Sequence, residues 1–201
     1  MALATWASGL ARTLLAEPLP RRWAHTQGVA RQARTLAPIL GEEADILVAA
    51  AWLHDIGYAP TLVITGFHPL DGARYLRDHH HANPRLCNLV AHHSCAIIEA
   101  QERGLADQLL AEFTHENEDL TNPLVYADLT TDPEGNLTDP DARLAEIVSR
   151  YGDNHIVTRS VRRTAPRLLH AVTEVEQRTA RRSLDSRRLP PPIHLSTHST
   201  P

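Results

Sequence analysis

The sequence has 201 residues, which is enough for one domain with a substantial core. Hydrophobic residues make up 42% and charged residues 22%, the usual proportions of a soluble globular protein, and the formal net charge is −4. The two cysteines, Cys87 and Cys95, form no CxxC pair, which argues against a disulfide framework or a structural zinc module. No apolar run reaches membrane-spanning length, and the start of the chain lacks a signal-peptide pattern. We therefore expect a cytoplasmic enzyme or binding domain with no membrane partner.

The helical pattern can be followed along the chain. Apolar residues recur at helical spacing almost throughout, whereas strand alternation is nearly absent. Residues 3–16 predict a first helix, which Pro18 and Pro20 end. A second helix is predicted over about 21–40 and a third over about 43–56. Further helices are predicted over about 68–80, 84–93, 105–115, 119–129, 140–150 and 155–182. The predicted fold class is all-α, a single multi-helix bundle.

The segments between the helices are predicted to be loops. We expect loops over 57–66, 94–104 and 116–122, and a long turn over 129–142, where Pro, Gly, Asp and Thr are frequent. The predicted organisation is an N-terminal helix over 1–19, a main domain over 20–155, a basic helix over 156–188 and a disordered tail over 189–201.

Charge is distributed unevenly along the chain. All 20 basic residues are arginines, and residues 159–201 contain 9 of them with only 3 acidic residues. A basic last quarter could attract a phosphorylated partner or nucleic acid, or it could be a solvated helix face followed by a tail. We favour the solvated face and do not expect nucleic acid as a partner.

The stretch "AAAWLHDIGYAP" at 49–60 ends the most apolar run of the chain with two ionisable side chains, His54 and Asp55. An unpaired charge at such a place would be costly, so the pair should have a partner. Neighbouring helix positions point about 100° apart, so both side chains reach one site only near a helix end. Gly57 and Pro60 place that end here, and a carboxylate in this position could bridge two metal ions.

Other histidines and acids also lie in segments that an apolar helix would bury. A lone buried histidine is more often a hydrogen-bonded core residue than a ligand, and Asp128 could cap the turn after it. Taken together, four imidazoles and two carboxylates would all need separate partners in a dry core, whereas one or two divalent cations would satisfy them at once. Imidazole and carboxylate ligands suit Fe, Mn, Zn, Ni or Co. The candidate metal ligands are His25, His54, Asp55, His68, His92 and Asp128.

The order His25, His54-Asp55, Asp128 resembles the HD-domain superfamily of metal-dependent phosphohydrolases, and "HDIG" at 54–57 is its commonest local form. The resemblance covers about residues 20–155 and includes "WAHTQGVARQA" and "VYADLTTDPEG". Subgroups with two metals have two more histidines, and His68 and His92 fit those positions. His93 is the alternative to His92, and we favour His92.

The sequence also departs from one dinuclear subgroup, the HD-GYP phosphodiesterases. Tyr58 stands where a lysine often follows the HDxG motif, the GYP tripeptide is missing, and "HHS" at 92–94 replaces HHE. These departures argue against cyclic dinucleotide hydrolysis of the HD-GYP kind.

The resemblance implies that water activated by the metal cleaves a phosphoester or phosphoanhydride of a nucleotide or a related small phosphorylated metabolite. Asp55 would hold metal and orient the nucleophile. Asp71 would either orient the metal ligands through hydrogen bonds or protonate the leaving group. Arg21 and Arg22 could clamp a phosphate, although a solvated surface role is as plausible.

Two alternatives remain open from the sequence. One is a di-iron oxygenase, which uses the same ligand set in another subgroup. The other is a ligand-sensing module that binds metal without catalysis. A homodimer is also left open.

Overall fold

The computed structural model describes residues 2–188, and these are all-α, which confirms the predicted fold class. Within them the only strand-like pairing is an isolated bridge between Thr131 and Leu137 in the predicted long turn. The predicted tail over 189–201 lies outside the described residues, and the division of the chain into segments stays a prediction. The helices are α1 Ala2–Leu15, α2 Pro20–Thr35, α3 Ala37–Leu40, α4 Ala44–Leu53, α5 His68–His80, α6 Pro84–His92, α7 Ala96–Arg103, α8 Ala106–Glu112, α9 Glu118–Leu129, α10 Pro140–Tyr151 and α11 Ile156–Arg188.

Helix α7 lies inside the segment 94–104 that we predicted to be a loop. It has only eight residues, too few for a clear apolar period, so its sequence carries a weak signal. Its ends are instead defined by left-handed backbone: Ser94 and Cys95 precede it with φ of 49° and 59°, and Gly104 follows it with φ of 69°.

Helix α4 is the centre of the core. All residues from Leu47 to Leu53 are buried, and the helix packs against α1, α2, α6 and α9. Three consecutive alanines, 49–51, have no exposed surface, and small side chains allow neighbouring helices to approach closely. The helix ends at Leu53, so the centre of the bundle opens directly onto His54 and Asp55.

Helix α11 covers one side of the bundle and carries much of the basic charge. It packs on α9 and α10 through a second apolar cluster that includes Leu168, Ala171 and Val172, and it also contacts α7. Its half-exposed residues Arg159 and Arg163 both pair with Glu102 of α7. This arrangement supports the interpretation of the basic segment as a solvated helix face. Within residues 2–188, no helix combines the length and apolarity needed to cross a membrane.

The turn after the HD pair is packed tightly against the first turn of α5. A Cβ atom added to Gly57 would lie 2.0 Å from the carbonyl oxygen of His68 and 2.8 Å from the amide nitrogen of Gly72. Both neighbours are backbone atoms and cannot move aside cheaply. Gly57 therefore sets the distance between the HD turn and the helix that carries His68.

We expect Gly57→Ala to lower the free energy of unfolding by about 1–3 kcal/mol, because the added methyl overpacks the turn. The matched control is Gly9→Ala in α1, where an added Cβ meets nothing within 4 Å. That substitution should raise the free energy of unfolding by about 0.5–1 kcal/mol through helix propensity. Urea unfolding of both variants measures the two effects, and equal effects would contradict the packing argument.

Candidate metal centre

Six side chains meet where the ends of several helices converge. His25 comes from α2, His54 and Asp55 follow the end of α4, and His68 is the first residue of α5. His93 follows α6, and Asp128 lies in the last turn of α9. Their nitrogen and oxygen atoms form two groups, and within each group these atoms lie within 4.8 Å of one another. The first group contains His25, His54 and Asp128. The second group contains Asp55, His68 and His93.

Asp55 lies between the two groups. Its Oδ2 atom is 3.3 Å from His54 Nε2 and 4.0 Å from His25 Nε2, both in the first group. Its Oδ1 atom is 3.3 Å from His68 Nε2 in the second group. The backbone of Asp55 has already left the helix, with φ −103° and ψ 5°. One carboxylate therefore faces both groups, as the position at the helix end predicted.

Three of the imidazoles are held in the same way by backbone carbonyl groups. The Nδ1 atoms of His25, His54 and His93 lie 2.9, 2.8 and 2.7 Å from carbonyl oxygens of Asp132, Ala51 and Val90. A carbonyl only accepts, so each Nδ1 carries a hydrogen and each Nε2 is the ring nitrogen directed into the cluster, where it can bind a metal ion through its lone pair. Metal-binding histidines are commonly oriented by this kind of hydrogen bond.

Two features of the cluster fit a bound cation. His54 Nε2 is completely buried and has no hydrogen-bond partner among the described residues. The Nε2 atoms of His68 and His93 lie 3.1 Å apart, which brings two potential lone pairs together. Buried polar atoms are normally satisfied, and a divalent transition metal would satisfy these nitrogen and carboxylate atoms at once. The donor set therefore fits divalent metal ions.

The local charges favour the ligand forms of most of these groups. Burial, together with the neighbouring His93, lowers the pKa of His68 to about 3, and burial also lowers the pKa of His93. Burial opposes ionisation of Asp55, but Arg22 and His54 outweigh it and hold the pKa of this carboxyl well below its usual range. His54 differs: burial lowers its pKa, but Asp55 and Asp128 outweigh this and raise it to about 9.

The raised pKa of His54 predicts that metal binding releases a proton. In the metal-free chain His54 is protonated at pH 7, whereas a metal ligand must be neutral. Metal affinity should therefore rise with pH by about tenfold per unit until pH reaches about 9, and then level off. His68 does not contribute in this range because its pKa is about 3. The Kd for Mn²⁺, measured calorimetrically from pH 6.5 to 8.5, tests this, and a flat profile would contradict it.

Of the two predicted phosphate-binding arginines, the structure brings only Arg22 to the cluster. Its Nη1 donates to Asp55 Oδ2 at 2.6 Å, and its guanidinium lies 4.1 Å from the centre of the Tyr58 ring. Tyr58 in turn stacks on His68, with ring centres 3.9 Å apart. Arg21 is 60% exposed and pairs with Glu134 at the surface. Arg22 is thus held in place by both an acidic and an aromatic contact.

His92, which we favoured over His93, does not join either group. Its Nε2 donates to the carbonyl oxygen of Phe113 at 2.9 Å, and its ring lies 3.8 Å from that of His115. His93 is the histidine beside His68, and we therefore propose His93 as the ligand in place of His92. The reason is backbone geometry: α6 ends at His92, and His93 adopts ψ of 151°, which changes the direction of the following side chains.

Asp71 has a role in the loop before α5 and not the one we predicted. Its carboxylate accepts hydrogen bonds from the amides of Ile64, Thr65 and Gly66, and from the hydroxyl of Thr65 at 2.8 Å. A carboxylate with four donors in a buried position organises the loop and is poorly placed to protonate a leaving group. We therefore propose that Asp71 organises this loop, in place of the predicted assistance to catalysis.

Ser94 is a residue of the site that the sequence did not reveal. Its hydroxyl donates to Asp128 Oδ2 at 2.5 Å, a short bond typical of a charged acceptor. The other oxygen of Asp128 faces His25 Nε2 at 3.0 Å. Ser94 has left-handed backbone, and the replacement of HHE by HHS at this position was the signal that could have indicated it.

A cavity of about 280 Å³ opens beside His25 and Arg22. Its lining also includes Arg21, Arg143 and Arg150, with prolines and a leucine between them. The two arginines of α10 were not among the predicted site residues. No local pattern marks them, because they approach the cluster only through the packing of α10.

The described residues form an all-α protein with two groups of histidine and aspartate side chains that could hold metal ions. The family model of the HD domain matches residues 22–150, which is more than half of the chain. The chain therefore belongs to the HD domain family, a superfamily of metal-dependent, hydrolase-type proteins. No curated protein and no solved structure matches it.

Proposed function

We propose that this protein is a metal-dependent phosphohydrolase that cleaves a phosphoester or phosphoanhydride of a nucleotide or a related small phosphorylated metabolite. The observation that supports it most is the position of Asp55, whose two oxygens face two separate groups of ligand atoms. A shared carboxylate between two groups is the arrangement expected of a site for a pair of metal ions that act on phosphate.

His25, His54 and Asp128 would hold one divalent ion, and His68 and His93 the other, with Asp55 between them. Fe, Mn, Zn, Ni and Co all suit this mixture of imidazole and carboxylate. A bound divalent metal supplies Lewis-acid chemistry, lowering the pKa of water and neutralising charge on phosphoryl oxygens. Ser94 keeps Asp128 oriented through its hydroxyl.

Arg22 would bind phosphoryl oxygens at the edge of the site. It carries a permanent charge, and its contacts with Asp55 and the Tyr58 ring limit its rotamers, so little side-chain entropy is lost on binding. A guanidinium also matches two phosphoryl oxygens with two parallel N–H groups.

The test combines metal analysis with a substrate screen. Protein purified without added metal is analysed for transition metals, and phosphate release is measured over a panel of nucleotides and sugar phosphates in air and under anaerobic conditions. Asp128→Ala serves as the variant that lacks a carboxylate of the first group. We expect bound metal and phosphate release that is independent of O₂ and lost in the variant. Iron with turnover that requires O₂ would indicate an oxygenase instead, and metal without turnover a binding module.

A further inference from the structure

The cavity beside His25 has an unusually basic lining. Arg21 and Arg22 come from the first turn of α2, and Arg143 and Arg150 come from α10 on the opposite wall. None of its lining residues, all within the described chain, is acidic. Four guanidinium groups around one cavity favour an anion there, as far as neighbouring carboxylates leave their charge uncompensated.

Neighbouring carboxylates compensate these charges only in part. Arg21 pairs with Glu134 and Arg22 with Asp55. Arg143 and Arg150 share a single carboxylate, that of Glu146. On the α10 wall, two positive charges therefore face one negative charge, and this wall can accept a further anionic group.

Arg143 provides a second, independent indication of a ligand. Its side chain is only 6% exposed, and its Nε has no hydrogen-bond partner among the described residues. A buried donor without a partner costs free energy that a ligand oxygen would recover. Arginine is also the residue best suited to bind phosphoryl oxygens in a partly buried site.

The cavity lies next to the candidate metal centre and shares two residues with it, His25 and Arg22. His25 lines the cavity while its Nε2 lies 3.0 Å from Asp128 Oδ1 in the first group. Arg22 also lines the cavity while it donates to Asp55. A ligand in the cavity would therefore lie beside the place proposed for the reacting phosphoryl group.

We propose that Arg143 and Arg150 bind a second phosphoryl group of the substrate, so that the substrate class is a compound with at least two phosphoryl groups. This inference rests on the proposed phosphohydrolase function, which places the first phosphoryl group at the metal centre. The apolar lining from Pro18, Leu19 and Pro133 would contact the uncharged part of such a molecule.

Binding of non-hydrolysable phosphonates tests this without any need for turnover. Protein loaded with Mn²⁺, at constant free Mn²⁺, is titrated calorimetrically with methylphosphonate and with α,ω-diphosphonates that carry one to four methylene groups. We expect at least one diphosphonate to bind about tenfold or more tightly than methylphosphonate, because its second group makes charge-assisted hydrogen bonds. Equal affinity for methylphosphonate and for all the diphosphonates would overturn the proposal.

Variants locate the second group. Arg150→Gln should weaken the best diphosphonate about tenfold and leave methylphosphonate unchanged. Glu146→Gln should strengthen diphosphonate binding, because it removes the carboxylate that competes for both arginines. The control is Arg162→Gln, an exposed arginine paired with Asp153, which should change neither affinity. Arg143→Gln is informative only if it folds, and Arg150 and Glu146 decide the question without it.

The outcomes separate this proposal from the function on which it rests. A diphosphonate preference that is unchanged in Arg150→Gln and Glu146→Gln would overturn the assignment to Arg143 and Arg150. A preference that these two variants change as expected supports the assignment. If that preference is present but no phosphorylated compound is hydrolysed, the phosphohydrolase function fails while the second anion site stands.

Discussion

Replacement of Asp55 by alanine is expected to abolish activity and to remove most of the bound metal. Asp55 faces both ligand groups, so its loss removes an oxygen from each of them. Bound metal should fall from about two ions per chain to less than one. We expect kcat to fall by about 10³-fold or more, since the metal contributes several kcal/mol to the transition state. Elemental analysis and phosphate release measure the two effects.

The effect of Asp55→Ala on protein stability needs a separate control. Arg22 pairs with Asp55 at 2.6 Å and is largely buried, so Asp55→Ala leaves this cation without its partner. Removal of one partner of a buried ion pair costs about 3–5 kcal/mol. Asp55→Asn keeps the side-chain volume and an oxygen that can accept from Arg22. It should be more stable than Asp55→Ala but equally inactive. An active Asp55→Asn variant would contradict the metal-binding role.

The adjacent pair His92 and His93 should respond to alanine substitution in opposite ways. His93→Ala is expected to lose the metal of the second group, because His93 is the imidazole beside His68. His92→Ala is expected to keep its metal, but its free energy of unfolding should fall by about 1–3 kcal/mol, since a buried ring and its bond to Phe113 are removed.

Metal content and urea unfolding of the two variants check this pair of expectations. His92→Gln offers a further control, because its amide can still donate to the Phe113 carbonyl and should restore part of the lost stability. Loss of metal in His92→Ala, with full metal in His93→Ala, would reverse the assignment.

The helical class and several site residues were predictable from local sequence. The helix α5 has the predicted bounds 68–80, because its proline at the second position and its apolar period are both local signals. His25, His54, Asp55, His68 and Asp128 were each identified as polar residues in apolar segments, and the structure brings all five together. A buried charge needs a partner wherever the chain folds, so this signal survives without knowledge of the fold.

The errors occurred where the backbone leaves regular geometry. His92 and His93 are neighbours, and a helical period extended through both favours His92 as the ligand. In the structure the helix ends between them and Ser94 has left-handed backbone, so that His93 is the one beside His68. Asp71 was predicted to act near the metal because it lies one turn after His68. Its actual partners are the amides of the loop before the helix, and a linear spacing rule does not show how that loop folds back.

Local sequence was enough to predict a helical chain with imidazoles and carboxylates inside apolar segments, because helical period and apolar neighbours can be read from nearby residues. The tertiary structure was needed to show which residues form the two groups that Asp55 faces, and that Arg143 and Arg150 share a cavity with Arg22. Those relations join residues that are more than one hundred positions apart or depend on where a helix ends. They follow from how α2, α4 and α10 pack, and packing is a property of the whole chain.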